Sequence, residues 1–197
     1  MRNIISEAAE KIAEDITSMK YSDKIPPEKK VSDLVSIDWK NVLPEPPENN
    51  SQITREELQE IAALTARRTE KQEQLVMVVD EDSKLIFDPL LQKNNLSYPA
   101  EKIKRLYDTV IYPVIINLKW QYNRPRPSQL GPKFGVKIDY ITTDSIHTPS
   151  YPSGHTAYAT MIASVLSEMY PEFSSEFYEL ANVAGKAREI RGVHYES

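Results

Sequence analysis

The sequence has no cysteine, which excludes disulfide bonds and thiol chemistry. It also lacks a long apolar run. The longest one, around residues 110–118, is well short of the roughly 20 residues that a membrane-spanning helix needs. Charges interrupt every apolar run in residues 1–20, so we expect no secretory signal and a cytoplasmic location. A net charge of -5 gives no general attraction to nucleic acid or anionic lipid.

The segments between prolines have helical periodicity. Fourteen prolines and only five glycines mark the ends of these segments. A chain of 197 residues, 40% of them hydrophobic, is long enough for one domain with its own core. We therefore predict an all-α helical bundle over residues 1–197, with flanking helices in 1–98 and the motif-bearing core in 99–197. The predicted helices span residues 3–19, 54–79, 99–124, 154–169 and 174–191, with loops at 44–51 and 128–151.

Particular residues mark the ends and faces of these helices. Thr54 and Glu57 have the spacing of a capping box, with Ile53 and Leu58 as its hydrophobic staple. Pro113 is placed to kink the third helix. Gly192 directly follows the last predicted helix and is expected to end it. The residues expected to face the core are Ile4, Ile5, Ala8, Ile12 and Ile16 in the first helix, Tyr158, Ile162, Val165 and Met169 in the fourth, and Phe177, Leu180, Ala184 and Ala187 in the last.

Residues 119–127 (KWQYNRPRP) form a basic stretch in an acidic protein. The stretch contains Lys119, Arg124 and Arg126 and no acidic residue. Arginine presents a planar fork that suits two phosphate oxygens, and lysine presents a point charge. These residues are candidates for binding a phosphate-like anion. The alternative is a solvated basic helix end, which the helix dipole favours at that place.

Residues 152–155 (PSGH) stand at the start of an apolar helix. Ser153 is a good N-cap, and the free N–H groups of a helix N-terminus bind anions. Gly154 would let an anion approach the backbone closely. His155 would lie in the first turn, where a bound anion raises its pKa and the helix end lowers it, which suits a general acid. The alternative is a capped helix whose histidine only packs.

Residues 188–194 (REIRGVH) add a third candidate cation and a second candidate histidine. Arg188 would complete the anion site. His194 follows Gly192, and a neutral imidazole can act as a nucleophile. Arg191 is interpreted as a surface charge or as support for the site, and His147 as a loop residue. A lone histidine in a loop is also an ordinary structural residue.

Taken together, the three stretches follow the pattern K-x6-R-P, then P-S-G-H, then R-x5-H-x3-D, up to its last position. In this respect the chain resembles the type 2 phosphatidic acid phosphatase and vanadium haloperoxidase superfamily over residues 119–194. The resemblance implies a helical bundle. It also implies that the oxygens of phosphate or vanadate are bound by Lys119, Arg126, Ser153, Gly154 and Arg188. His155 would be the acid, His194 the nucleophile or the vanadium ligand, and Arg124 peripheral or substrate-facing.

The resemblance implies one of three functions. We favour a soluble, metal-independent phosphatase that acts on phosphomonoesters through a phosphohistidine and needs no cofactor. The reasons are that the chain is short and that residues 150–156 (SYPSGHT) resemble soluble bacterial acid phosphatases. The second function is a haloperoxidase that uses vanadate to oxidise halide with peroxide. The third is an inactive phosphate-binding protein. The expected partner is a small phosphorylated substrate, with no nucleic acid and no membrane span.

The pattern calls for an aspartate four positions after His194, and the sequence ends at Ser197. That aspartate would fix the tautomer of the histidine. We expect the sequence to be a fragment that lacks the aspartate and the last helix of the bundle. In the alternative, the natural protein ends here with impaired activity, and a second subunit of a homo-oligomer covers the open apolar face. A milder departure is Ala187, where the family usually has serine.

Overall fold

The computed structural model describes residues 2–24 and 42–197, without the side chains of residues 2–6, 8 and 9. Within these ranges the chain forms α-helices and no strand, which confirms the all-α prediction. None of the described helices is long and apolar enough to cross a membrane. The α-helices are α1 (Arg2–Thr17), α2 (Gln52–Ala66), α3 (Glu70–Glu81), α4 (Asp88–Lys93), α5 (Ala100–Leu106), α6 (Tyr112–Tyr122), α7 (Pro127–Leu130), α8 (Gly154–Met169) and α9 (Ser174–Ile190).

Helices α8 and α9 form an antiparallel pair around which the main core is built. They are joined by a short 3-10 helix, Pro171–Phe173. Alanines at the interface let the two backbones approach closely: Ala159, Ala163, Ala181 and Ala184. The prediction of which large apolar residues face the core is therefore only partly right. Ile162 and Phe177 are fully buried, whereas Met169 is 43% exposed, because periodicity weighs large side chains over small ones.

A second, smaller core lies where α1 and α2 meet the segment after α9. It contains Ile16, Leu58 and Tyr195. Ile12, expected in this core, is exposed, and Ile4, Ile5 and Ala8 lie outside the described side chains. The amide of Asn49 donates hydrogen bonds to the carbonyls that end α1, at 2.8–3.3 Å. The segment 44–51 is a loop, as predicted, and it holds α1 in place.

The helix predicted over residues 54–79 is two helices, and its predicted start is wrong. Ser51 caps α2 by accepting from Thr54 N, and Ile53 is exposed rather than stapled. The capping box lies instead at the start of α3, between Thr69 and Gln72. Arg68 stabilises the break between α2 and α3. Its guanidinium donates to the backbone carbonyls of Ile190, the last residue of α9, and of Asp139, both at 2.9 Å.

The third predicted helix is divided by a π-helical turn, Tyr107–Ile111, that joins α5 to α6. Pro113 follows this turn and lacks the N–H that would continue the ordinary hydrogen-bond pattern, which accounts for its position. Helix α6 ends at Asn123, a non-glycine residue with a left-handed backbone (φ 47°). The predicted loop 128–151 contains α7 and two 3-10 helices, Gly131–Phe134 and Asp144–Ile146.

Candidate active site

The end of α6 delivers two buried cations to one place. Lys119 lies in the last turn of α6, and the turn at Asn123 leads through Pro125 to Arg126. Arg126 precedes α7, and its backbone N–H donates to the side chain of Gln129 (2.9 Å). Both residues are almost completely buried: Lys119 is 5% exposed and Arg126 is 2% exposed. The predicted alternative, a solvated basic helix end, is therefore wrong.

These two cations are bound by backbone carbonyls. The Lys119 ammonium donates to Pro149 O at 2.6 Å. The Arg126 guanidinium donates to Thr148 O (2.8 and 2.9 Å) and to Val193 O (2.8 Å). Neither side chain forms an ion pair with a described residue. Burial, followed by the charges of Arg126 and Arg188, holds the pKa of Lys119 well below its ordinary value. The positive charges near Lys119 therefore repel one another, and no described carboxylate neutralises Lys119 or Arg126. A bound anion would relieve this repulsion, which makes the site attractive to an anion.

The start of α8 is fixed to the same place. The Ser150 hydroxyl donates to the carbonyls of Arg124 (3.2 Å) and Pro125 (3.0 Å), which ties the second motif to the first. Ser153 caps α8 as predicted, because its hydroxyl accepts from the N–H and the hydroxyl of Thr156. The free N–H groups of this helix end are thus held beside the buried cations.

Gly154 is needed for a second reason that the sequence did not show. The Tyr107 hydroxyl donates to Gly154 O at 2.8 Å. A Cβ at position 154 would lie 3.2 Å from that hydroxyl oxygen, so a larger residue would have to displace the Tyr107 hydroxyl. His155 follows in the first turn of α8 and is mostly buried.

A carboxylate that sequence reasoning missed lies among the arginines of the third motif. Asp80, at the end of α3, accepts from Arg188 at 2.8 Å and also pairs with Arg191. Its carboxylate lies 3.8 Å from His155 Nε2. Burial raises the pKa of Asp80, but hydrogen bonds from Arg188 and neighbouring hydroxyls outweigh burial and hold the pKa far below its usual value. Asp80 is therefore ionised, and Arg191 is fully buried support rather than a surface charge.

Ser145 connects the two groups of cations. Its carbonyl accepts from Arg126 (3.2 Å), and its hydroxyl accepts from Arg188 (2.9 Å) and donates to Asp80 (2.8 Å). The site residues predicted from the first and third motifs are therefore brought together through the 3-10 helix Asp144–Ile146. His147, at the end of that helix, is exposed on the loop, as predicted.

Both site histidines are neutral without a bound anion. His194 follows Gly192, whose left-handed backbone (φ 82°) turns the chain after α9. Burial, then the charges of Arg126 and Lys119, hold the pKa of His194 well below its ordinary value. Burial, and next the charge of Arg188, lower the pKa of His155 to about 3, and the Asp80 carboxylate only partly opposes this.

Arg124 is not peripheral, because only 3% of it is exposed. It lines the larger of the two cavities next to the site, so the substrate-facing interpretation stays a prediction. It is buried and pairs with Glu57 at 3.2 Å. Its guanidinium stacks on the ring of Tyr195, 3.9 Å from the centroid, and donates to Ser197 O at 2.7 Å. Glu57 accepts in turn from the N–H and the hydroxyl of Ser197 (2.7 and 2.9 Å). Arg124 and Glu57 thus hold the segment that directly follows His194.

Two cavities adjoin the site. A cavity of about 250 Å³ is lined by Gly154, His155 and Asp80, together with residues of α5 and the π-helical turn. A larger one, of about 910 Å³, is lined by Ser153 and His194 and by residues of α8 and α9. The site residues therefore reach open space from two sides although most of them are buried.

This geometry defines a class: an all-α fold, over the described residues, that gathers three buried cations, a helix N-terminus and two neutral imidazoles, a combination suited to binding an anion. Comparison with known families agrees with that class. Residues 107–197 match the model of the PAP2 superfamily. The segment contains every site residue predicted from the three motifs.

Two curated relatives match a shorter stretch. A non-specific acid phosphatase of Salmonella typhimurium is 50% identical over 48 residues, which is 24% of this chain and 19% of the relative. A non-specific acid phosphatase of Salmonella typhi is 48% identical over 48 residues, with the same coverage. The match thus spans about a fifth of the length of these relatives.

Proposed function

We propose that this protein is a phosphatase that hydrolyses phosphomonoesters through a phosphohistidine on His194, without a metal ion. The observation that carries the proposal is the neutral, buried His194 in the field of cations that have carbonyl rather than carboxylate partners. The superfamily match and the acid phosphatase relatives support phosphatase activity.

In the proposed reaction, the substrate phosphate takes over hydrogen bonds that backbone carbonyls now accept. Lys119 and Arg126 would turn their donors from Pro149 O and Thr148 O to the phosphate oxygens. Arg188 would contribute a third cation, and the N–H groups at the start of α8 would complete the site. A phosphate is a better acceptor for these donors than a neutral carbonyl, because the hydrogen bonds become charge-assisted. Three cations around the equatorial oxygens stabilise the charge of the transition state.

The chemistry takes two steps. The lone pair of a His194 imidazole nitrogen forms a bond to phosphorus, while the ester P–O bond breaks and its electron pair stays on the leaving oxygen. His155 gives a proton to that oxygen, which releases the alcohol. Water then attacks the phosphohistidine. The P–N bond breaks, its electrons return to His194, and the proton of the attacking water goes to His155, which leaves inorganic phosphate.

His155 must be protonated to act as the acid, and the unliganded site keeps it neutral. A substrate with two negative charges would reverse this, because an anion beside the imidazole favours its charged form. The proton is therefore taken up with the substrate. On this basis we expect kcat/KM to fall as the pH rises above the second ionisation of the phosphate ester.

The test is the hydrolysis of 4-nitrophenyl phosphate by the purified chain in the presence of EDTA. His194→Ala should abolish the activity, and His147→Ala, an exposed loop variant, should leave it unchanged. The phosphoenzyme is trapped with a radiolabelled substrate, and the stability of the label is compared in acid and in base. A label that is stable in base is expected and identifies a phosphohistidine. Full activity in His194→Ala would overturn the mechanism, and loss of activity in EDTA that zinc or magnesium restores would overturn metal independence. Oxidation of bromide by peroxide in the presence of vanadate, without ester hydrolysis, would assign the chain to the haloperoxidases instead.

A further inference from the structure

The smaller cavity beside His155 has walls that phosphate binding does not require. It is bounded on one side by Gly154 and His155. In the proposed mechanism His155 gives its proton to the leaving group, so the leaving group lies in this cavity. The remaining lining is mainly aromatic and acidic: Tyr107, Tyr112, Tyr158, Asp80, Glu81, Asp82 and Asp108, with Ser83 and the ammonium of Lys104.

The three tyrosines form a connected aromatic wall. The rings of Tyr107 and Tyr158 lie 4.6 Å apart between centroids, and those of Tyr107 and Tyr112 lie 6.0 Å apart. The hydrogen bond of Tyr107 to Gly154 O fixes this wall to the start of α8. Tyr107 and Tyr158 are buried, with 7% and 6% of each residue exposed, so the wall is a fixed part of the fold.

The charge of the lining is negative. Four carboxylates and one ammonium line the cavity. Asp80 is neutralised by Arg188 and Arg191, which leaves Glu81, Asp82 and Asp108 against the ammonium of Lys104. Lys104 pairs with Asp108 at 2.5 Å, but 40% of its side chain is exposed, where water and salt screen it. Asp82 pairs with Lys84 at 3.4 Å, a residue outside the lining. Burial raises the pKa of Tyr158, and the charge of Asp82 raises it further, in agreement with this negative field.

We propose that this cavity is a subsite for a small cationic leaving group, so that the preferred substrates are phosphomonoesters of amino alcohols that carry a quaternary ammonium. Tyrosine faces attract such a cation through their quadrupoles, and the carboxylates add a longer-range attraction. The volume, about 250 Å³, is below the ~300–1,000 Å³ of pockets for drug-sized ligands, so the leaving group is small. The same negative field disfavours substrates with a second anionic group. This inference rests on the phosphatase proposed above.

The test compares two esters of equal shape and different charge. Choline phosphate and 3,3-dimethylbutyl phosphate differ by a quaternary nitrogen in place of a carbon. We expect kcat/KM to be about tenfold higher for choline phosphate, as a cation–π contact and nearby carboxylates would give. A ratio of one or less would overturn the subsite. Because the ratio is measured on one preparation, it does not depend on the fraction of folded protein.

Two variants locate the effect. Tyr158→Leu removes an aromatic face, and Asp82→Asn removes a charge, and each should lower the ratio about threefold or more. The matched control is Asp139→Asn, an exposed aspartate that does not line the cavity, and it should leave the ratio unchanged. A ratio that stays high in both cavity variants would overturn the assignment to this cavity.

A binding measurement separates failure of the subsite from failure of the proposed function. Choline and 3,3-dimethylbutan-1-ol are titrated into the protein without phosphate, and binding is followed by the tyrosine signals in NMR spectra. Tighter binding of choline, lost in Tyr158→Leu, supports the subsite even where neither ester is hydrolysed. Such a result would contradict the phosphatase and not the subsite. Equal binding of the two alcohols would overturn the subsite, whatever the activity.

Discussion

Arg124 and Arg126 are only two residues apart, each is followed by proline, and both are buried. Their partners nevertheless differ in kind. Arg124 pairs with the Glu57 carboxylate and stacks on Tyr195, whereas Arg126 donates only to backbone carbonyls among the described residues. A carboxylate neutralises the first guanidinium, which makes it part of the framework. Carbonyls satisfy the donors of the second without neutralising it, and this leaves it free to bind an anion.

The largest expected effect comes from removing Arg126, the arginine proposed to bind the phosphate. Arg126→Ala should lower kcat/KM for 4-nitrophenyl phosphate by about 1,000-fold, as the loss of a donor to the developing charge does elsewhere. Arg126→Lys should recover part of the loss, because it restores the charge but not the fork. Arg105→Ala, at an exposed position of α5, serves as the control. An Arg126→Ala enzyme within tenfold of the parent would place the anion site elsewhere.

The second effect tests the framework arginine through its partner. Glu57→Gln leaves the Arg124 guanidinium buried without a counter-charge, and we expect the free energy of unfolding to fall by about 3 kcal/mol. Urea unfolding measures it. Replacing both partners by apolar residues, as Glu57→Leu with Arg124→Met, should recover much of the loss. A double variant as unstable as Glu57→Gln would show that the guanidinium has another task.

Asp80 offers a third comparison, because Arg188 is a predicted anion-binding residue that already has a carboxylate partner. Asp80→Asn should cost about 2 kcal/mol at pH 7, the difference between charged and neutral hydrogen bonds. The pKa of Asp80 is lowered in the folded protein, so its contribution is complete above about pH 4 and declines at lower pH. The difference in stability between the parent and the variant should therefore narrow steadily as the pH falls below about 4, and it should close only near the much lower pKa of the folded state. A difference that stays constant as the pH falls below about 4 would contradict the ionic origin of the effect.

The smallest effect concerns the turn that presents Val193 O to Arg126. Gly192 has a positive φ of 82°, and a Cβ there would meet side-chain atoms of Ile138 and Thr65 at 2.9 Å. Gly192→Ala should lower the free energy of unfolding by about 1–2 kcal/mol and should lower kcat more than KM rises. Gly135→Ala is the control, because it has a similar φ of 68° with open space around it. Equal loss of activity in Gly192→Ala and Gly135→Ala would show that the turn at Gly192 does not matter specifically for the site.

The sequence identified the candidate site residues, which the structure brings together, but it did not identify the carboxylates that pair with them. Fixed spacing placed Lys119, Arg126, Ser153, His155 and His194, because each motif is local and begins or ends a helix. Asp80 and Glu57 left no such pattern, since they reach their arginines across 108 and 67 residues. Acidic residues at a helix end are common in any sequence, so nothing distinguished these two from solvated ones.

The same difference applies to the fold. Helical periodicity predicted α8 and α9 almost to the residue, because a buried face repeats along them. It missed the break after α2, where the decisive contacts are the side chain of Thr69 and the reach of Arg68 to the end of α9. Hydrophobic pattern alone could not separate a continuous helix from two helices that are held apart by one arginine.

The positions of Asp80 and Glu57 have a consequence for the order in which the protein is made. Both carboxylates leave the ribosome before the arginines that neutralise them, and Arg188 and Arg191 come more than 100 residues after Asp80. Until those arginines are synthesised, α3 cannot bury Asp80 without leaving a charge unpaired. We therefore expect the N-terminal helices to stay loosely packed during synthesis, and the anion site and the hydrophobic core to be completed in the same late step.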